Sequence, residues 1–274
     1  MRNIVWLASY PKSGNTWLRA FLHNLLLENP AAHDINRLSD LVQGHNLAVF
    51  YAKHDPRPAS SYSLKDVRRL RPLVHDDLSM RSIDPVVVKT HNANVLDPEA
   101  PVITPDVTLG AIYVIRDPRD VAVSFSHHIG WSLDDTIDFM ATEYSTIGGN
   151  DTHTYEIVSS WSHHVRSWTQ EATSPVHVVR YEDMAAFPMK TFSGLVRFLG
   201  RDVDRTRVER AIRLSSFKVL QSQERRHGFI ERSPVSDTFF RDGKPGGWRR
   251  AMPPALAAQI EWWHGDEMRR FGYL

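Results

Sequence analysis

Apolar residues fall into two kinds of run along this chain: short unbroken ones, and longer ones with helical spacing. Ile4-Val5-Trp6-Leu7-Ala8 is unbroken and of strand length, the pattern of a strand buried on both faces in a parallel sheet. Beyond the loop from Ser9 to Asn15, the residues Trp17, Leu18, Phe21, Leu22, Leu25 and Leu26 form one stripe of a helix that ends near Asn29-Pro30. Val86-Val87-Val88-Lys89 predicts a strand ending at Thr90-His91, and Ala111 to Ile115 predicts another ending at Arg116. Asp117-Pro118 then opens a helix, with Asp placed to cap and Pro at the first helical position. Val176 to Arg180 reads as a further strand, with helical patterns through Phe198, from Arg205 to Leu214 and from Pro253 to Phe271. Strands separated by helices predict an α/β chain, a central parallel sheet flanked by helices, in a single domain over residues 1–274.

Three stretches, 44–63, 130–151 and 223–240, break this rhythm with His, aromatic and polar residues mixed with Gly or Pro. Irregular segments of that length usually carry binding loops, so they are expected to surround an acceptor site. Phe50, Tyr51, Trp131 and Phe229 suggest an apolar or aromatic mouth.

Composition narrows the function classes. With no Cys, disulfides, thiolate nucleophiles, Fe–S clusters and Cys-ligated zinc are excluded. A formal net charge of +1 does not suit a protein that coats nucleic acid, although local basic pockets are compatible with it. No apolar run approaches the ~20 residues that cross a bilayer, and the chain is expected to be soluble and cytoplasmic. The adjacent pairs His127-His128 and His163-His164 do not make a metal site, since helical neighbours point to different faces and no H-E-x-x-H occurs.

The loop after the first strand carries the first candidate chemistry. A phosphate-binding loop reads G-x-x-x-x-G-K-[ST] between a strand and a helix, so that backbone N–H groups and the helix N-terminus surround phosphate oxygens. Over Ser9 to Thr16 the second Gly falls on Gly14 and the hydroxyl on Thr16, but Asn15 stands at the Lys position and a lysine appears instead at Lys12. This is a modified P-loop, in a nucleotide-kinase-like setting, with its cation moved to another point of the turn.

Tyr10-Pro11-Lys12-Ser13-Gly14-Asn15-Thr16-Trp17 resembles the 5′-phosphosulfate loop of sulfotransferases that use 3′-phosphoadenosine 5′-phosphosulfate (PAPS). Three further signatures follow in the same order and extend the resemblance over nearly the whole chain. Lys89-Thr90-His91 lies at a strand end, where parallel sheets bind ligands. The resemblance implies that His91 is the general base, and an imidazole titrating near ~6.5 can accept a proton at neutral pH. Arg116 and Ser124, eight positions apart, match the 3′-phosphate segment. Arg241-Asp242-Gly243 resembles the C-terminal Arg-Lys-Gly element, with Asp242 in place of its second basic residue, a charge Lys244 could supply. Trp17, Tyr181 and Phe217 occupy positions that line the adenine in similar proteins.

The resemblance implies transfer of a sulfuryl group from PAPS to the hydroxyl of a small-molecule or natural-product acceptor, leaving 3′-phosphoadenosine 5′-phosphate (PAP). Lys12 is expected at the bridging and leaving oxygens, Lys89 at the sulfuryl oxygens, and Ser13, Gly14, Asn15 and Thr16 around the 5′-phosphate, with no metal. Sugars, phenols, sterols and peptides all fit as acceptors. A P-loop kinase and a non-catalytic nucleotide-binding relative are the competing readings. Asn15 counts against the first, and the presence of Lys12 and His91 against the second.

Overall fold

The structure is a computed structural model that describes residues 3–27, 30–97 and 100–274. Its main elements in chain order are β1 (Ile4–Ser9), α1 (Asn15–Leu26), β2 (Gln43–Gly44), α2 (Leu64–Ser79), β3 (Val86–Thr90), β4 (Thr108–Ile115), α3 (Pro118–Ile129), α4 (Leu133–Ala141), α5 (Trp161–Thr169) and β5 (Val176–Arg180). They are followed by α6 (Tyr181–Ala186), α7 (Pro188–Phe198), α8 (Arg205–Leu214), α9 (Phe217–His227) and α10 (Pro254–Arg270). Every strand and helix expected from the apolar pattern is present. The first helix stops at Leu26, and Asn29, near which it was expected to end, lies outside the described residues. No helix among the described residues is long and apolar enough to cross a membrane.

The chain divides into two compact units, each assembled from three stretches. The first comprises the described residues of Met1–Pro11, Val42–Tyr113 and Phe139–Val178. It holds β1, β2, β3 and most of β4 and β5, in a five-stranded sheet of order β2-β3-β1-β4-β5. β1 runs parallel to β3, with Ile4 opposite Val86 and Ala8 opposite Thr90, and β2 is parallel to β3 on its other side. All six residues of β1 are buried, which is why its sequence shows no alternation. Trp6, fully buried, satisfies its indole by donating to Thr108 Oγ1 at 2.8 Å. The 16-residue helix α2 begins at a reciprocal capping box, Ser63 with Asp66. Inside the stretch 44–63 the chain makes a helical turn at Ala48–Tyr51 and a 3-10 turn at Ala59–Ser61.

The second unit comprises the described residues of Lys12–Leu41, Val114–Asp138 and Val179–Leu274. Its apolar centre includes Ala20, Ile35, Leu38, Leu220, Phe229 and Phe240, with Trp17, Phe217 and Phe239 packed at the margin. Asp117 caps α3 by accepting from the Arg119 N–H, with Pro118 at the first helical position. The Arg119 guanidinium returns to Asp117 at 2.8 Å, and reaches Glu261 at 2.6 Å and the Tyr273 carbonyl at 2.7 Å, tying the start of α3 to α10 and the chain end. The stretch 130–151 was expected to be irregular but contains α4, and 223–240 begins inside α9.

Candidate active site

In the second unit the loop after β1 becomes a cradle around the start of α1. Lys12 has φ 66° and Gly14 φ 111°, two left-handed residues close together in one turn. For Gly14 this conformation is free of strain, and only glycine leaves room: a Cβ would come within 2.7 Å of the Tyr181 ring. Gly14 stands at the N-cap of α1 and supplies no side-chain cap, so the first N–H groups of this 12-residue helix face the loop without one. Ser13 Oγ is buried with no hydrogen-bond partner. Buried polar atoms are normally satisfied, and an anion at a helix N-terminus would satisfy both the hydroxyl and the amides. The Lys12 ammonium lies 3.7 Å from the centroid of the Phe239 ring.

Arg116, at the end of β4, is mostly buried and faces the same loop. Its Nη1 donates to the Lys12 carbonyl at 3.2 Å, its guanidinium stacks 4.2 Å over the Tyr181 ring, and its Nε has no hydrogen-bond partner. Asp120, one helical turn on, approaches Arg116 only at 4.0 Å. Its carboxylate instead accepts from the N–H groups of Gly246 at 2.7 Å and Trp248 at 2.9 Å, pinning the segment after Arg241-Asp242-Gly243 to α3. Burial raises the Asp120 carboxyl, against the opposing pull of Arg116 and of those two N–H groups.

Tyr181 joins the pieces. It is buried, packs edge-on against Trp17 at 5.4 Å, and donates its hydroxyl to the Gly243 carbonyl at 2.8 Å. Gly243 has φ 66°, and a Cβ there would meet the Phe217 ring at 2.2 Å. Trp17, Tyr181, Phe217 and Gly243 therefore share one aromatic surface. Asp242 pairs with Arg250 at 3.0 Å, so the acid at the unusual position is neutralised within its own segment. Ser124 is half-buried on α3, three residues before His127, whose imidazole is lowered by burial and by the charge of Arg241.

In the first unit Lys89 and His91 close β3. His91 Nδ1 lies 2.8 Å from the Ser9 carbonyl. A carbonyl can only accept, so Nδ1 carries the hydrogen and the lone pair of the neutral ring is on Nε2. The backbone of His91 is held at both ends: its N–H donates to Glu156 Oε1 at 2.7 Å, and His164 Nε2 donates to its carbonyl at 3.2 Å. His164 accepts from the Tyr113 hydroxyl at 2.8 Å through Nδ1. Burial pushes its pKa down to about 3, so it is a neutral structural donor.

Glu156 and His164 were not among the residues expected from the sequence. His164 is half of an adjacent pair set aside as a metal site, and Glu156 belongs to no motif. Phe50, Tyr51 and Phe229, expected at an aromatic mouth, are buried instead. Trp131 is exposed by about half and lines a cavity of about 400 Å³ in the second unit, with His127, Val235 and Ala251.

Comparison with known proteins places these observations. Residues 2–272 match the family model of the sulfotransferase domain. The chain is 26% identical to cytosolic sulfotransferase 16 of Arabidopsis thaliana, covering 98% of this chain and 77% of that protein. It is 25% identical to sulfotransferase 1A1 of Canis lupus familiaris, over 97% and 83% of the two chains. Among solved structures, mouse sulfotransferase SULT7A1 complexed with PAP superposes with a TM-score of 0.62 at 20% identity, covering 98% of this chain and 85% of that one. Retinol dehydratase, in complex with androsterone and PAP, gives 0.64 at 19% identity, covering 97% and 80%. At these identities the structural matches establish the fold.

Proposed function

Because the chain belongs to the sulfotransferase domain family, we propose that it moves a sulfuryl group from PAPS to a hydroxyl of a small-molecule acceptor, with His91 as general base. When bound, PAPS supplies an activated sulfuryl group whose S–O bond to the 5′-phosphate breaks as the acceptor oxygen forms its own. The residues of the second unit fit such a nucleotide. The uncapped start of α1 and Ser13 Oγ suit the 5′-phosphate, Arg116 with Ser124 and Arg241 suit a 3′-phosphate, and Trp17, Tyr181 and Phe217 offer flat surface to a purine. Lys12 neutralises charge gathering on the leaving oxygen, and Lys89 orients the transferred group. Such catalysis rests on positioning and electrostatics.

His91 takes the acceptor proton at Nε2. The observation that carries this role is the Ser9 carbonyl at 2.8 Å from Nδ1, which fixes the tautomer with the lone pair on the other nitrogen. The retinol dehydratase complex holds androsterone, an alcohol, and phenols and aliphatic alcohols are both within the chemistry offered here. Screening hydroxylated compounds for sulfate incorporation in the wild type and in His91→Ala tests the reading. Incorporation by the wild type, with turnover lowered by orders of magnitude in His91→Ala, is expected; equal turnover at saturating substrates removes His91 as the base.

A further inference from the structure

Behind His91 the first unit carries a buried polar cluster that the reaction above does not use. Glu156 is 4% exposed on its side chain, yet it is surrounded by donors. Oε1 accepts the His91 N–H at 2.7 Å and the Thr90 hydroxyl at 3.4 Å, and Oε2 accepts from Asn46 Nδ2 at 3.0 Å; His45 Nε2, 3.3 Å from Oε1, accepts from Asn92 Nδ2 at 2.9 Å. The flanking backbone locks this carboxylate to the turn after β3. The Ile157 N–H donates to Asn92 Oδ1 at 2.6 Å, and the Ala93 N–H donates to the Ile157 carbonyl at 2.7 Å.

We propose that Glu156 is the positioning residue for His91, clamping the end of β3 and serving as the buried counter-charge to the imidazolium formed when His91 takes a proton. The inference rests on the assignment of His91 as base. The clamp is geometric: the ring of His91 can reach the Ser9 carbonyl only if its backbone stays where Glu156 and His164 hold it. The counter-charge follows from the surroundings. Burial alone would raise the Glu156 carboxyl, but the close contact with His45 and the charges of His91, His45 and Lys89 outweigh it, holding the group well below the usual carboxylate range. Glu156 is therefore ionised throughout the range in which an imidazole titrates.

The other titratable groups facing this cluster do not replace it. His75, beyond His45, is pushed far down by burial, and His164 is neutral for the same reason. Tyr51, which feels the charges of both Arg71 and Glu156, is raised by burial. Among these described neighbours Glu156 is the one anion.

The test follows the imidazole resonances of His91 through a pH titration of the PAP-free protein, identified by their absence in His91→Gln, in wild type and in Glu156→Gln. An opposite charge nearby favours the charged form of an imidazole, so removing the Glu156 charge in Glu156→Gln is expected to lower the His91 midpoint. The acid limb of turnover should move to lower pH with it, because the base stays neutral further down. Plateau turnover should drop through the weaker base, and PAP affinity should be unchanged. Glu156→Asp keeps the charge and shortens the reach: its midpoint should stay near the wild-type value while turnover falls. If Glu156→Gln does not fold, that second variant decides, and wild-type turnover in it overturns the positioning role. A Glu156→Gln midpoint equal to wild type overturns the counter-charge. Full turnover in His91→Ala instead defeats the base assignment itself, a separate failure.

Discussion

At His91 one hydrogen bond decides which nitrogen can work, because the Ser9 carbonyl takes the Nδ1 hydrogen. The residue type and its place at a strand end could be read in the sequence; the tautomer could not, since it depends on a partner 82 positions away. The same holds for Arg116. Its position after β4 marks it, but its burial against Tyr181 and its bond to the Lys12 carbonyl appear only on folding. Arg116→Ala is expected to weaken PAP about ten- to a hundredfold, the worth of a charge-assisted hydrogen bond. Adenosine 5′-phosphate should be affected far less, and paired calorimetric titrations of the two nucleotides read the difference. Gly14→Ala meets both a left-handed backbone and a ring at 2.7 Å, so it should abolish PAP affinity in the same assay even if the protein folds.

At the scale of elements, the strong periodic patterns were the legible ones: β1, α1, α3, α8 and α10 stand where apolar spacing and the Asp117-Pro118 signal put them. What escaped was short. The turn at Ala48–Tyr51 and the nine-residue α4 are below the length at which a helix is stable by itself, so packing rather than local sequence makes them. The attachment of the 246–248 segment to α3 was likewise hidden, because Asp120 acts across 126 and 128 positions. Asp120→Ala should loosen the segment that carries Arg241 and Gly243, lowering PAP affinity about tenfold while leaving the far-ultraviolet circular dichroism of the helices intact. An unchanged affinity would mean that the segment is held by other contacts.

For the whole molecule, acid sensitivity follows from histidines buried in neutral form. His164, pushed down to about 3, and His75, far below its ordinary value, stay uncharged in the fold, whereas in an unfolded chain each titrates near ~6.5. The unfolded state therefore binds more protons below that pH. The stability these groups confer is complete above ~6.5 and declines as pH falls, by up to ~1.4 kcal/mol per pH unit for each histidine. Glu156, held below the usual carboxylate range, adds its own loss below ~4.5. Melting temperatures should hold level from pH 7.5 to about 6.5 and decrease steadily from there to 4.5, and a profile flat throughout would contradict the buried neutral state. Since Lys12 and Lys89 supply the positive charge in the reading proposed here, chelation of divalent metal should leave turnover unchanged.

The central claim is that the turn between β1 and α1, with Arg116 behind it, grips a nucleotide carrying both 5′- and 3′-phosphates. Calorimetric titration of the purified protein with PAP, and separately with adenosine 5′-phosphate, reads this most directly. Saturable PAP binding, at least about tenfold tighter than that of adenosine 5′-phosphate, is the predicted result for one additional charge-assisted phosphate contact. No measurable heat with PAP, or equal affinity for the two nucleotides, would contradict it.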